Sequence, residues 1–314
     1  MGKKDISVKL WLKDNRRFAD LFNGVCFDGR QIIKPEELVE LDGESNFVLE
    51  DKDGKRRYVQ RYRDIIKGWN GFVLRSILAV ELQDKVHYAM PVKNMIMDAM
   101  SYTDQMGNIW DNIPNDEKKI LVGSPDYFSR FRKDDKLRPV ITLVFYCGDN
   151  WDGNIDLHSM FNLTGMEEQK DVMKFVEKYI PNYRINLFNP LKEKEFSKFI
   201  TDLQIVFDML QYKNNKKELK QYINNNRHYF GSLDYESCNA VTALLETDKL
   251  FPDDTKLKKE GNNVCKAIDD LYNDGVEKGN LQTIINLITK GKLTIEDGAE
   301  ELGISIEDLK MRLA

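Results

Sequence analysis

Two long apolar runs separated by a helical pattern constrain the fold of this chain more than any other feature. The runs are "FVLRSILAVEL", residues 72–82, and "RPVITLVFYCG", residues 138–148. The second run is continuous, which is typical of a strand that is buried on both faces. Between them, "HYAMPVKNMIMDAMSYTDQM" has apolar residues at helical spacing, and Pro91 suits a first helical turn. A strand–helix–strand unit is therefore predicted.

The segments before residue 190 extend this unit. "KDNRRFADLFNGVCF" has apolar residues at helical spacing, and "SNFVLEDKDGKRRYV" predicts a strand, a turn and a second extended or helical piece. "RYRDIIKGW" is interpreted as a short basic helix, and "NYRINLFN" as another strand. The order of elements predicts an α/β domain.

After residue 190 the strand patterns stop and helical periodicity continues to the C-terminus. We expect a domain over residues 1–190, a helical extension over 191–280 and a C-terminal helical hairpin over 281–314. In the hairpin, Thr294 and Ser305 are good N-caps, and Gly303 suits the turn. The second helix is too acidic for a confident DNA reader, so packing or self-association into a homo-oligomer is the favoured interpretation.

Composition excludes several classes of protein. The chain has 314 residues and a net charge of −5, and no apolar run reaches the roughly 18 residues that span a membrane. The N-terminus has no apolar core of a signal peptide, so no membrane partner and a cytoplasmic location are expected. The four cysteines are widely spaced and only three histidines are present, which argues against a zinc site or a disulfide framework.

Positive charge is concentrated between Lys55 and Arg75, where seven basic residues accompany one acid, Asp64. Such a cluster can bind a phosphate backbone. A solvated surface with no partner is the alternative, and the charge pattern alone does not separate the two.

A carboxylate stands at the end of the first apolar run. Glu81 and Gln83 are two residues apart and so share one face of a strand. Carboxylate and amide oxygens can hold a hard cation and its water, which could then attack a phosphodiester. The alternative is a strand end that emerges into solvent.

Several segments together resemble the recombination-promoting nuclease (Rpn) branch of the PD-(D/E)XK nuclease superfamily, a branch related to transposases. They are "DNRRFADLFN", the turn "KDG", the strand "LAVELQ", the helix "HYAMPVKNMIMDAMSY" and the strand and loop "RPVITLVFYCGDNWDG". The resemblance covers roughly residues 10–190. It implies a restriction-endonuclease-like mixed-sheet core, cleavage of DNA that depends on Mg²⁺ or Mn²⁺, and a link to recombination or mobile DNA.

The resemblance also implies roles for individual residues. Glu81 matches the glutamate that binds the metal, and Gln83 takes the position usually held by lysine. Gln83 can orient a water but carries no positive charge. Lys93 lies where the branch tends to have arginine, and it could supply that charge. We expect Arg56, Arg57, Arg61 and Arg63 to contact DNA phosphates beside the cleft.

One position departs from the superfamily pattern. Asn46 stands where the first strand should bring an aspartate into the site, and an amide is a weaker ligand for Mg²⁺ than a carboxylate. Asp42 and Glu44 lie nearby in another register, and Asp42 is the candidate replacement ligand. The alternative function is therefore a weakened or inactive nuclease fold that binds DNA or protein.

Overall fold

The computed structural model describes residues 3–50, 56–71, 75–163, 169–231, 233–245 and 279–313. The side chains of residues 3–5, 44–50, 56–62, 235 and 313 lie outside this description. The chain divides into two compact units, Met1–Gln211 and Tyr212–Ala314. The sequence analysis placed boundaries after residues 190 and 280.

The described residues of the first unit form seven strands. They are β1 (Leu38–Glu40), β2 (Glu44–Glu50), β3 (Arg56–Tyr62), β4 (Ile65–Asn70), β5 (Arg75–Gln83), β6 (Val140–Tyr146) and β7 (Asn186–Phe188). Five of them form a mixed sheet in the order β1-β4-β5-β6-β7. β4 is antiparallel to β1 and β5, whereas β6 is parallel to β5 and β7. The predicted α/β class is thus confirmed.

The two apolar runs form the centre of this sheet. They contain β5 and β6, and the helix between them is α3 (Met90–Asp111), with Pro91 in its first turn. Two short helices, α4 (Asn115–Ile120) and α5 (Pro125–Ser129), complete the connection from α3 to β6. The predicted strand–helix–strand unit is confirmed.

The prediction of a short basic helix in "RYRDIIKGW" is wrong. The segment contains the end of β3 and nearly all of β4, which pairs with β5 from Ile65↔Val80 to Asn70↔Arg75. The β-branched pair Ile65 and Ile66 favours a strand, and pairing with β5 stabilises it. Strand β2 pairs with β3 in a separate two-stranded sheet.

Helices cover both faces of the five-stranded sheet. Leu82 and Phe145 are Cα partners on β5 and β6 and share one face, because side chains alternate along strands. On that face the Phe145 ring lies 5.7 Å from the ring of Phe207, in α7 (Leu203–Leu210). Glu81 and Val144 share the opposite face, which α3 covers.

The N-terminal helices are α1 (Lys3–Leu12) and α2 (Asn15–Cys26). Asp14 caps α2 by accepting from the backbone N–H groups of Arg16 and Arg17. Asp20 is buried and accepts from Thr201, with its Oδ2 2.6 Å from Oγ1 and 2.8 Å from N. Both acids therefore stabilise local structure. Helix α6 (Lys170–Tyr179) precedes β7.

The second unit is helical where it is described. Its helices are α8 (Lys216–Asn225), α9 (Arg227–Phe230), α10 (Tyr235–Leu244), α11 over residues 279–289, α12 (Ile295–Leu302) and α13 (Ile306–Leu313). Thr294 and Ser305 accept hydrogen bonds from Asp297 N and Asp308 N. Gly303 has a φ of 64°, which suits glycine at a helix end. The predicted caps and turn of the hairpin are thus confirmed.

Among the described helices, none combines the length and the apolar composition that crossing a bilayer requires.

Candidate active site

The site is built where β4 begins beside the end of β5. Because Ile65 pairs with Val80 in the antiparallel ladder, Asp64 lies opposite Glu81. Oδ2 of Asp64 accepts a hydrogen bond from the backbone N–H of Leu82, at 2.9 Å. Neighbouring strands are less than about 5 Å apart, so this register brings two carboxylates together from positions 17 residues apart in the sequence.

A lysine on α3 completes the group. Nζ of Lys93 lies 2.9 Å from Oε2 of Glu81, and the Glu81 side chain is only 1% exposed. Lys93 is itself partly exposed, so its ammonium group stands between the buried carboxylate and solvent. A buried carboxylate needs such a partner, because an unpaired charge is costly in the interior.

The environment changes the acidity of Asp64. Burial, and after it the negative charge of Glu81, raise the pKa of this carboxyl, which is about 6. The N–H of Leu82 and the charges of Lys93 and Lys9 act in the opposite direction. Asp64 therefore ionises near neutral pH, which is common for carboxyl groups in functional sites.

Several buried polar atoms on this face have no hydrogen-bond partner within the described part of the chain. They are Oε1 of Glu81 and both polar side-chain atoms of Asn94. Asn94 precedes Asp98 by one helical turn, on the face of α3 that packs against the sheet. Buried polar atoms without partners usually bind water or an ion. This orphaned carboxylate oxygen, with Asp64 opposite, fits a divalent cation, since Mg²⁺ is commonly bound by one or two carboxylates.

Gln83 follows Glu81 on the same face of β5 and is half-buried. Its backbone carbonyl accepts from Cys147 N at 2.9 Å. This bond fixes the end of the strand, and the predicted role of the Gln83 amide in orienting a water stays a prediction.

Arg63 is buried behind this group and is 4% exposed. Its Nη2 lies 2.7 Å from Oδ1 of Asp98, and its Nη1 donates to Oγ1 of Thr142 at 2.8 Å. Asp98 also accepts from Tyr183, whose pKa is raised by burial and by this hydrogen bond. The guanidinium of Arg63 is thus occupied inside the protein, which corrects its assignment as a contact to DNA phosphate.

The remaining residues predicted for the site lie on segments of the chain other than those that carry Asp64, Glu81 and Lys93. Asn46 lies on β2, which pairs with β3 and is not part of the sheet that contains Glu81. Its side chain lies outside the described residues, as do those of Arg56, Arg57 and Arg61, so their roles stay predictions. Asp42 is described and exposed, and it lines the same cleft as Asp64.

That cleft has a volume of about 410 Å³ and lies between α1 and the start of β4. Lysines and acids line it together, and they are Lys9, Lys13, Lys67, Glu40, Asp42 and Asp64. No group of three or more His, Cys, Asp or Glu side chains in the described residues is arranged to hold a metal ion. A cation at this site would therefore be held by at most two such side chains of the described residues, with neutral groups or water as its remaining ligands.

Sequence reasoning missed Asp64, although a signal was present. "DII" places an acid directly before two β-branched residues, which is the pattern of a carboxylate at a strand end. The surrounding arginines and lysine led to the interpretation as a basic helix instead. Asn94 gave no comparable signal, because its burial depends on packing of α3 against the sheet.

Comparison of the chain with family models, with curated proteins and with solved structures finds no match.

Proposed function

We propose that this protein is a metal-dependent endonuclease that hydrolyses DNA, with a restriction-endonuclease-like core as the resemblance implies. The observation that carries the proposal is the position of Asp64 opposite Glu81, with Lys93 at 2.9 Å from Glu81. Two carboxylates can hold a divalent cation, and a lysine beside them can place positive charge near the reacting phosphate. The mixed sheet agrees with the proposed core.

Each residue has a chemical role in the proposal. Asp64 and Glu81 would hold Mg²⁺ or Mn²⁺, and the cation would supply a water of lowered pKa and an attraction for the phosphate. Gln83, on the face of Glu81, would orient the water through its amide. Lys93 would place positive charge where negative charge develops on the phosphate, a charge that Gln83 lacks.

The hydrogen bonds around these groups restrict their movement. The N–H of Leu82 holds Asp64, and Lys93 holds Glu81. Behind them, Asp98 of α3 binds Arg63, the residue before Asp64. The same helix therefore contacts both sides of the site, which favours a preorganised arrangement.

A second candidate is a nuclease fold that binds DNA or protein without cleaving it. It is favoured by the ion pair of Glu81 with Lys93 and by the small number of acids that converge among the described residues. In this function the ion pair would serve only to neutralise a buried carboxylate.

Nicking of supercoiled plasmid in Mg²⁺ or Mn²⁺ tests the proposal. We expect the parent to nick DNA, EDTA to abolish nicking, and Asp64→Asn and Glu81→Gln each to slow it at least about a hundredfold, the scale of one lost catalytic group. Asp84→Asn is the matched control, because Asp84 is an exposed acid just after β5.

Nicking by Glu81→Gln at the rate of the parent would contradict the proposal. Absence of nicking by the parent, together with DNA binding that survives Glu81→Gln, would favour the second candidate.

A further inference from the structure

We infer that the cleft between α1 and β4 is a phosphate-binding site formed by Lys9 and Lys13, and that its ligand is a backbone phosphate of nucleic acid. The inference rests on the proposed function for the nature of this ligand. The cleft brings both lysines to the surface that contains Asp64. Both lysines belong to the basic N-terminus of the sequence, and the sequence analysis assigned neither of them to the site.

Lys9 and Lys13 lie on one side of the N-terminal helix. The N–H of Lys13 donates to the carbonyl of Lys9 at 3.0 Å, so the helical turn continues to Lys13 just beyond α1. Residues four apart in a helix are neighbours on its surface. Both lysines line the cleft, and this spacing makes them neighbours on the helix.

The other cations of the cleft are already paired. Arg63 binds Asp98 at 2.7 Å, and Nζ of Lys67 lies 3.8 Å from Oε1 of Glu40. In contrast, Lys9 and Lys13 form no ion pair within the part of the chain that the structure describes. They are the cations of the cleft whose charge is available to an anion.

The helix that carries them is anchored to the rest of the unit. Nζ of Lys67 donates to the carbonyl of Lys13 at 2.6 Å and to Oδ1 of Asn15 at 2.5 Å. Nε1 of Trp11 donates to Asp202 at 3.3 Å, and Trp11 is fully buried. The contacts of Lys67 fix the end of α1 against β4, and the bond of Trp11 fixes the same helix to the start of α7. Less ordering is therefore required when a ligand binds.

Positive charge in this cleft would help a nucleic acid, which is a polyanion, to bind beside two carboxylates. A phosphodiester that approaches Asp64 and Glu81 is repelled by two carboxylates, and Lys93 is already engaged by Glu81. Lys9 and Lys13 would offset this repulsion and hold the nucleic acid beside the carboxylates. They are thus binding residues in the inference, distinct from the groups that hold the cation.

The test is binding of a fluorescein-labelled oligonucleotide, measured by anisotropy in EDTA over a range of KCl concentrations. EDTA removes divalent cations, so binding is measured without metal-dependent cleavage. We expect the double variant Lys9→Gln/Lys13→Gln to bind at least about tenfold more weakly, and to reduce the salt slope by about two units, roughly one for each lost phosphate contact.

The matched control is Lys170→Gln/Lys174→Gln, which removes two exposed lysines with the same spacing on α6. Its salt slope is expected to equal that of the parent. Equal slopes for the parent and for Lys9→Gln/Lys13→Gln would overturn the inference. Thermal melting checks that both double variants are folded.

Competition with inorganic pyrophosphate distinguishes the source of the phosphate. We expect the oligonucleotide to resist displacement by pyrophosphate at concentrations far above its own. Displacement at comparable concentrations would overturn nucleic acid as the ligand.

The binding test and the nicking test can fail independently of each other. Plasmid nicking that persists while the salt slope is insensitive to both lysines would overturn the inference alone. A slope that falls with both lysines, in a protein that nicks no DNA, would overturn the endonuclease proposal and support the binding site.

Discussion

The carboxylate of Asp64 is held by the backbone N–H of Leu82, with 2.9 Å between Oδ2 and N. Leu82 directly follows Glu81, so this bond fixes one carboxylate against the strand that carries the other. Burial and the charge of Glu81 raise the pKa of Asp64 to about 6. At neutral pH the carboxylates of Asp64 and Glu81 are therefore held close together although they repel each other. A bound cation would relieve this repulsion.

Asp64→Asn should change how stability depends on pH. Below pH 4 Asp64 is protonated in both states, whereas between pH 4 and about 6 the unfolded chain ionises first and the parent loses stability. An amide has no such transition, and its oxygen can still accept from Leu82. Between pH 4 and pH 7, the free energy of unfolding of the variant should therefore rise relative to that of the parent by up to about 3 kcal/mol.

Urea denaturation at several pH values measures this difference. Asp84→Asn is the control for the loss of one exposed acid. Parallel stability curves for the parent and Asp64→Asn would show that the carboxyl is not buried beside Glu81.

Manganese should stabilise the parent against thermal unfolding through Asp64 and Glu81. At a concentration one hundred times the Kd the gain is about 2.7 kcal/mol, and it should increase as pH rises through about 6, because the cation requires ionised Asp64. Asp64→Asn and Glu81→Gln should lose most of this gain. Differential scanning fluorimetry with and without EDTA provides the measurement.

Asn46→Asp tests, in the same assay, whether position 46 supplies a ligand to the metal, as the resemblance to the nuclease superfamily implies. Since β2 pairs with β3 and not with β5 in the described strands, we expect this variant to gain no more from manganese than the parent does. A larger gain would show that position 46 supplies a ligand after all.

The ion pair between Lys93 and Glu81 should appear as coupling in a double-mutant cycle. Lys93→Met leaves the Glu81 carboxylate, 1% exposed, without its partner and should destabilise the protein by about 2 kcal/mol. Adding Glu81→Gln should restore much of this loss, because the amide carries no charge. Additive effects in urea denaturation would indicate that the two groups do not interact in solution.

The arginines between Lys55 and Arg75 should differ in role, because Arg63 stabilises the fold whereas Arg57 and Arg61 are predicted to contact DNA phosphates. Arg63→Met should destabilise the protein by about 3 kcal/mol, because it leaves Asp98 without its buried partner, and it should leave the salt slope of DNA binding unchanged. Arg57→Gln and Arg61→Gln should each reduce that slope by about one unit.

Anisotropy titrations in KCl measure the slopes. If Arg63→Met does not fold, the double variant Arg63→Gln/Asp98→Asn takes its place, because it removes both charges of the buried pair. A slope that falls for the Arg63 variant but not for Arg57→Gln or Arg61→Gln would reverse the assignment.

The sequence predicted the elements whose patterns are local. β5, β6 and α3 follow from apolar periodicity, and Glu81 follows from its place at the end of an apolar run. Thr294 and Ser305 were recognisable as caps because their partners lie three residues away. In each case the determining contacts are close in sequence or repeat with a simple period.

Asp64 and its surroundings were not predicted, because their determinants are distant in sequence. Arg63 is separated from Asp98 by 35 residues, and Lys67 from Asn15 by 52. Charge in the sequence indicates exposure, whereas distant partners such as these permit two cations to be buried in or beside β4. Once they are placed inside, the segment forms a strand and its acid faces Glu81.

Helix α3 carries Lys93 and Asp98, and this restricts where the chain can change length. One residue inserted between them would rotate one group by about 100° relative to the other, so either Glu81 or Arg63 would lose its partner. After Asp111 the connection through α4 and α5 contains neither group. Insertions and deletions between β5 and β6 should consequently be tolerated in that connection and excluded from the first half of the helix.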